Sequence, residues 1–279
     1  MARLLQPELQ TRLGVRVVVE NKSGAGGNVG RADVAKQAPA DGFSLLLAAS
    51  GPMAVNPSLY KSMAFDPMKD LAPVIQSSSF ALVLEIQPKM GIKTLKELIA
   101  LAKRPDSKRT FASAGNGTLQ HLAGEMFNTQ LGINLSHAPY RGAGPAPNDM
   151  LVGGHVDVMF DILGRSLPHL QGGRLVPLAV TSAQRQAALP NVPTRVEAGV
   201  EGCEFTAWHG IAVRAGTPAT AITKLNTLNA IFSDAEFKKK WAAIGTPVVG
   251  GSPQQFGEPI RKDSVRLGEV VKRVGVTVD

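Results

Sequence analysis

Apolar and polar positions switch repeatedly along the chain between a period of two and a period near 3.6. Runs of strand length, bounded by Gly and Pro, alternate with stretches of helical spacing. Residues 15–19 predict a first strand, followed by the turn Ser23-Gly24-Ala25-Gly26-Gly27-Asn28 and a helix through Lys36. Further strands are predicted over 43–49, 71–75, 80–86, 110–112, the segment before Pro139, 156–160, 176–180 and 210–213. Helical spacing marks 94–103, with Thr94 as N-cap and Glu97 at the capping-box position. It also marks 119–131 and 143–153, where Pro145 and Pro147 suit a first turn. Residues 1–10 read as an amphipathic helix, and the chain beyond Thr217 is mostly helical.

Strand–helix alternation predicts an α/β protein with mainly parallel sheets covered on both faces. At about 150 residues per domain, 279 residues suggest two domains. No low-complexity linker separates the blocks, which favours domains joined by strands crossing between them. Residues 80–86 and 210–213 are the natural crossing strands.

Composition narrows the function classes. No run of eighteen apolar residues is present, so no membrane insertion is expected. The single cysteine, Cys203, excludes a disulfide framework and a four-thiolate zinc site. Thirty Lys and Arg against 22 Asp and Glu give +8, which suits an anionic partner. Aromatic residues make up only 5%, too few for a basic stripe interleaved with stacking rings, so nucleic acid is not expected. The run Lys238-Lys239-Lys240, beside Asp234, Glu236 and Trp241, reads as the solvated face of a helix.

Catalytic motifs are absent. The glycines of the first turn, Gly24, Gly26 and Gly30, are spaced GxGxxxG and not GxGxxG, and no acidic ribose ligand stands at a strand end twenty residues on. There is no GK[ST] and no G-x-S-x-G; Ser58-Leu59-Tyr60-Lys61 matches S-x-x-K without its companion motifs. Cys203 carries no signature of a catalytic thiol, and His121, His137, His155, His169 and His209 never fall in zinc spacing. No enzyme, cofactor or metal is expected.

Residues 113–121 are more informative. Small residues after a strand open a helix, which leaves backbone N–H groups and a helix dipole available to an anion. Ser113, Asn116 and Thr118 add donors, although the same pattern fits a plain N-cap. Ser50-Gly51, Tyr140-Arg141-Gly142 and Asp161 also follow predicted strands, and ligands of open α/β sheets bind outside the carboxyl ends of strands. Arg141 could clamp a carboxylate or simply lie along Tyr140.

An ordered series of motifs extends this reading. Residues 17–28 (VVVENKSGAGGN), Asn56-Pro57-Ser58-Leu59-Tyr60, Phe65-Asp66-Pro67, Ser113-Ala114-Gly115-Asn116-Gly117-Thr118 and Pro139-Tyr140-Arg141-Gly142 occur in turn. Leu189-Pro190-Asn191-Val192-Pro193-Thr194 and Trp208-His209-Gly210-Ile211 complete it. Together they resemble the tripartite tricarboxylate transporter receptors, the Bug solute-binding proteins, over essentially the whole chain. The resemblance implies a type II periplasmic-binding-protein fold in which two α/β domains close on a small carboxylate like a flytrap. It implies interleaved domains, 1–104 plus 207–279 and 105–206. It implies ligand contacts from Ser50 and Gly51 in the first domain, and from Ser113, Gly115, Asn116, Gly117, Thr118, Arg141, Gly142 and Asp161 in the second. Asp161 would accept from a ligand amino or hydroxyl group or order a water. Met53 stands where the family carries a polar residue, so one contact is expected to be lost.

The implied partners are a small carboxylate and the permease subunits of a transporter, with the chain a periplasmic monomer. Relative to the family, the first strand, its Pro-Gly-Gly loop and the export signal are expected to be missing in front of Met1. Loss of that strand would leave ladder groups unpaired at about 1–3 kcal/mol each. This keeps a second reading open, a non-binding interaction protein or remnant of the family.

Overall fold

In a computed structural model of the chain, residues 2–142, 144–152, 155–201, 206–275, 277 and 278 are described. Cys203 and the ends of the 143–153 helix expectation lie outside the described residues. Two sheets organise the chain. One has the order β1 (Leu46–Ala49), β8 (Ala207–Arg214), β2 (Leu71–Phe80), β9 (Val248–Gly250). The other runs β5 (Ser136–Pro139), β4 (Thr110–Ser113), β6 (Val158–Ile162), β3 (Leu82–Ile86), β7 (Val176–Val180).

The crossing strand predicted at 80–86 is β2 running into β3 with Ala81 alone between them. β3 is buried on both faces, as expected for LVLEI. Leu82, Leu84 and Ile86 enter one core, while Val83 enters the other beside Ala112, Met159 and Val180. The chain changes sheet at Ala81, and the helix Leu95–Ala102 shares a hydrophobic cluster with Leu82, Leu84 and Ile86 of β3.

The expectation of mainly parallel sheets does not hold. Only β4–β5 and β4–β6 are parallel; β1–β8, β2–β8, β2–β9, β3–β6 and β3–β7 are antiparallel. The crossings explain this. β1 and β2 reach the space between the sheets with their carboxyl ends, whereas β8 starts there, so Ala49 stands opposite His209 and Phe80 opposite Ala207. In the second sheet β3 starts there while β6 ends there, with Leu82 opposite Ile162. A strand that leaves the junction must run against those that arrive.

Residues 15–19 do not pair as a strand. Val15 and Val18 are exposed, and the backbone of Val17 is held instead by the side-chain amides of Gln6 and Gln10 on the helix Ala2–Leu13. Local signals fared better. Helix Leu95–Ala102 has its capping box, Glu97 N–H donating to Thr94 Oγ1 at 3.2 Å and Thr94 N–H to Glu97 Oε2 at 3.1 Å. Lys238, Lys239 and Lys240 are exposed on helix Ala235–Ala243, whose Phe237 and Trp241 are buried. Among the described residues, no helix is long and apolar enough to cross a membrane.

Candidate ligand-binding cleft

A cleft of about 210 Å³ lies where the carboxyl ends of β1, β2 and β6 meet the starts of β3 and β8. From the first sheet come Ala49, Ser50, Gly51, Pro52, Phe80, Ala207 and His209; from the second, Leu82, Ala114, Thr118, Leu119, Gln120 and Ile162. Gly26 and Arg31 complete the wall from the glycine-rich turn. Apolar side chains dominate, Arg31 is the one cation, and no Asp or Glu is present in this lining.

The far side is built on helix Leu119–Leu131. Its N-cap is Thr118, whose Oγ1 accepts from His121 N–H and donates to Gly115 O at 2.7 Å. The first backbone donors of this helix, at Leu119 and Gln120, therefore stand at the cleft with the positive end of its dipole. Beneath them the loop is bonded to itself. Ser113 Oγ accepts from Gly115 N–H at 3.1 Å and lies 2.7 Å from His137 Nε2, and Gly117 N–H donates to His121 Nδ1 at 3.3 Å.

His121, Glu125 and His137 bring one potential ligand atom each within 4.8 Å of one another. The tautomer argues against a metal. With Nδ1 of His121 accepting from Gly117, the neutral ring carries its hydrogen on Nε2, the nitrogen 3.8 Å from Glu125. The rings of His121 and His137 stack at 4.1 Å, so their in-plane lone pairs do not converge. Burial lowers the pKa of His121 to about 4; burial, with the charge of His121 beside it, lowers that of His137 to about 3.

On the near side, Ser50 Oγ accepts from Trp208 N–H at 3.3 Å, which leaves its own hydroxyl hydrogen to donate. Met53 is buried in the core of the first sheet beside Leu46, Phe65 and Trp208. Arg31 belongs to the short helix Asn28–Ala32 that follows Gly26 and Gly27, both at positive φ. Its Nη1 donates to Gly27 O at 2.7 Å, while Nε is buried without a hydrogen-bond partner. Burial lowers its pKa to about 10. Nδ1 of His209 is likewise buried and unpartnered, and burial, reinforced by nearby positive charge that includes Arg31, lowers that ring to about 3. His209 is therefore neutral.

The two sides touch through glycines. A Cβ on Gly26 would stand 2.4 Å from Asn116 O, and one on Gly117 would stand 2.4 Å from Asn56 Oδ1. Tyr60 O–H donates to Asn116 O across the same junction at 3.3 Å.

Of the residues expected from sequence, the cleft lining takes Ser50, Gly51 and Thr118. Ser113, Gly115 and Gly117 lie in the self-bonded loop behind it, and Asn116 is exposed at its rim. Arg141 and Gly142 are exposed outside the lining, with Gly142 N–H donating to Ala114 O and Tyr140 O. Asp161 is bonded within the chain. Its buried carboxylate is gripped by both Nε and Nη2 of Arg165, and accepts also from Ser166 Oγ at 3.0 Å and Ile162 N–H at 2.7 Å. Glu85 lies buried near this pair, and desolvation raises it to about 8.

Arg31, His209 and Gln120 also line the cleft and were not expected from sequence. For Arg31 a signal existed: it follows Gly27 by four residues, one helical turn.

The chain matches the family described as "Tripartite tricarboxylate transporter family receptor" over residues 1–276. It is 35% identical over 277 residues to Protein BugT of Bordetella pertussis, covering 99% of this chain and 84% of that protein. Among solved structures, R. palustris Rpa4515 with adipate superposes with a TM-score of 0.95 at 32% identity, covering 99% of this chain and 92% of that one. Periplasmic binding protein BugD gives 0.93 at 34% identity, with coverage of 99% and 92%. MatC (Rpa3494) from Rhodopseudomonas palustris with bound malate gives 0.91 at 27%, with coverage of 97% and 92%. The fold is that of a type II binding protein, and the chain belongs to the Bug-type tripartite tricarboxylate transporter receptors.

Proposed function

We propose that this protein is an extracytoplasmic receptor that captures a small carboxylate in the cleft between its two sheets and delivers it to the permease of a tripartite tricarboxylate-type transporter. The observation that carries this reading is the character of the cleft: apolar walls, a helix N-terminus, the Ser50 hydroxyl and one cation, with no anion in its lining. Such a surface repels nothing in a carboxylate and offers it a few convergent donors among apolar walls. Two similar proteins hold adipate and malate, both diacids, which supports the same ligand class here.

Ser50, Gly51 and Thr118 contact the ligand directly. The loop through Ser113, Gly115, Asn116 and Gly117 holds the helix start in place, and Arg141 and Gly142 serve as the rim that reaches the ligand when the lobes shift. Capture works by closure. The β2–β3 crossing at Ala81 and the return into β8 act as the hinge, and the close approach of Gly26 and Gly117 to the opposite lobe corresponds to the closed state. The chemistry is binding without turnover.

Thermal-shift measurements against linear diacids, hydroxy diacids, acidic amino acids and aromatic acids test this. A saturable rise in Tm with at least one acid class is expected, since a ligand at 100 times its Kd stabilises by about 2.7 kcal/mol. A well-folded protein whose Tm ignores every acid at millimolar concentration would refute carboxylate capture and favour a non-transport interaction role.

A further inference from the structure

Arg31 is an anomaly in this cleft. A guanidinium partly withdrawn from water is normally held by a carboxylate, because desolvating an unpaired charge is costly. The neighbouring charged groups of its segment are already matched, Lys22 with Asp33 at 2.7 Å and Lys36 with Asp70 at 2.7 Å. No ion pair of Arg31 is found among the described residues; its one bond is to the neutral carbonyl of Gly27. Gly27 is what makes this position possible, since a Cβ there would stand 2.4 Å from Nη1 of Arg31. The guanidinium is thus anchored at one nitrogen, with a buried, unpartnered Nε and a cleft without acids. In the same lining His209 presents an equally unpartnered Nδ1, its ring fixed against Phe80 at a centroid distance of 4.8 Å.

We propose that Arg31, with His209 beside it, forms an ionic subsite for one carboxylate of the ligand, while the other end of the ligand is held by Ser50 and the start of helix Leu119–Leu131. The proposal rests on the carboxylate-receptor reading and sharpens it by assigning specificity. Nε and the outer guanidinium nitrogen donate in parallel to the two oxygens of a carboxylate, a geometry lysine cannot copy. Neutral His209 adds a third donor without repelling the guanidinium. The apolar stretch formed by Phe80, Leu82 and Ile162 covers the methylenes between the two acid groups. A ligand with two separated carboxylates satisfies both ends of the cleft, and a monoacid of equal length leaves one end empty.

The test is calorimetric titration of the full chain with succinate, glutarate and adipate, each beside the monoacid of the same carbon number. Wild type, Arg31→Met, Arg31→Lys and His209→Phe are compared, with circular dichroism to establish folding. Wild type is expected to bind its best diacid at least about 10-fold more tightly than the paired monoacid. Arg31→Met is expected to lose about 100-fold in diacid affinity and to bring that ratio close to one, in line with truncation of one partner of a buried charged pair. Arg31→Lys, which keeps charge but not the paired donors, is expected between the two, and His209→Phe loses about 10-fold, as for one hydrogen bond to a charged group. Should Arg31→Met fail to fold, Arg31→Lys decides by the same ratio. A folded Arg31 variant that keeps the wild-type ratio overturns the subsite and leaves carboxylate capture standing. Wild-type protein that binds none of the acids overturns both.

Discussion

The two walls of the cleft differ in how their polar groups are satisfied. On the second-sheet side, Ser113, Gly115, Gly117, Thr118, His121 and His137 are bonded to one another, so the loop is a finished platform whose outward product is the start of one helix. On the first-sheet side, Arg31 Nε and His209 Nδ1 are buried with nothing to bond, and Asn56 Oδ1, behind the same wall, is in the same condition. Buried polar groups in native proteins are nearly always paired, and an exception calls for an explanation. The contrast teaches that one wall is shaped by folding and the other, on the proposed reading, by its ligand. Substitutions on the platform should therefore register in stability, and substitutions on the open wall in affinity.

The largest effect expected is at Asp161. If it served the ligand, replacing it would abolish binding and leave the fold intact. Because its buried carboxylate instead pairs with the partly exposed Arg165 and accepts from Ser166, Asp161→Ala is expected to cost about 3 kcal/mol of stability, the low end for breaking a buried pair. Urea denaturation would show this, and an unchanged midpoint would place Asp161 with the open wall. Next comes the glycine contact between the walls. Gly26 has φ of +60° and faces Asn116 O, so Gly26→Val strains the turn and holds the lobes apart. Ligand affinity is expected to fall about 100-fold, comparable to loss of a buried charged contact. Wild-type affinity in that variant would break the link between lobe contact and capture.

The platform also makes stability depend on pH. His121 and His137 are neutral in the folded protein down to about pH 4 and 3, whereas unfolded histidine takes its proton near 6.5. Between those limits the unfolded state binds more protons, so stability falls as pH drops from 6.5 towards 4. Glu85 acts in the opposite sense, since its folded pKa near 8 lies above the unfolded value and its contribution grows as pH falls from 8 towards 4.5. His137→Phe keeps the stack with Phe111 and His121 but removes one titrating ring. Its denaturation midpoint is expected to vary less between pH 7 and 4.5 than that of wild type; an identical profile would contradict the assignment of a neutral histidine pair. The smallest effect is at the cap. Thr118→Ala should cost about 1 kcal/mol of stability, read by thermal melting.

How far the sequence could be read depended on the range of the interaction concerned. The ends of helix Leu119–Leu131 and the Thr94–Glu97 capping box were legible because they rest on neighbours within four residues, and strand Val176–Val180 because it is a short apolar run. Strand direction was not, since β8 meets β1 and β2 only after the chain has passed through the other sheet and returned. Residues 15–19 carry the composition of a strand, yet their backbone is held by glutamine side chains of a helix, which no periodicity encodes. Of the residues the motif series suggested, Ser50, Gly51 and Thr118 line the cleft. Asp161, at the end of β6, is paired instead with Arg165 on the first turn of the helix Leu163–Gln171 that follows. Arg31 and His209 lie 178 positions apart and become one feature only when Ala49 pairs with His209 and the glycine turn folds over that edge.

The central claim is that the cleft captures a carboxylate between two walls that must come together. Calorimetric titration of the wild-type protein and Gly26→Val with the acid that gives the largest thermal shift tests both halves at once. The account predicts saturable binding at one ligand per chain in wild type and a loss of about 100-fold in the variant. Absence of heat with folded wild-type protein, or equal affinity in the two proteins, would contradict it.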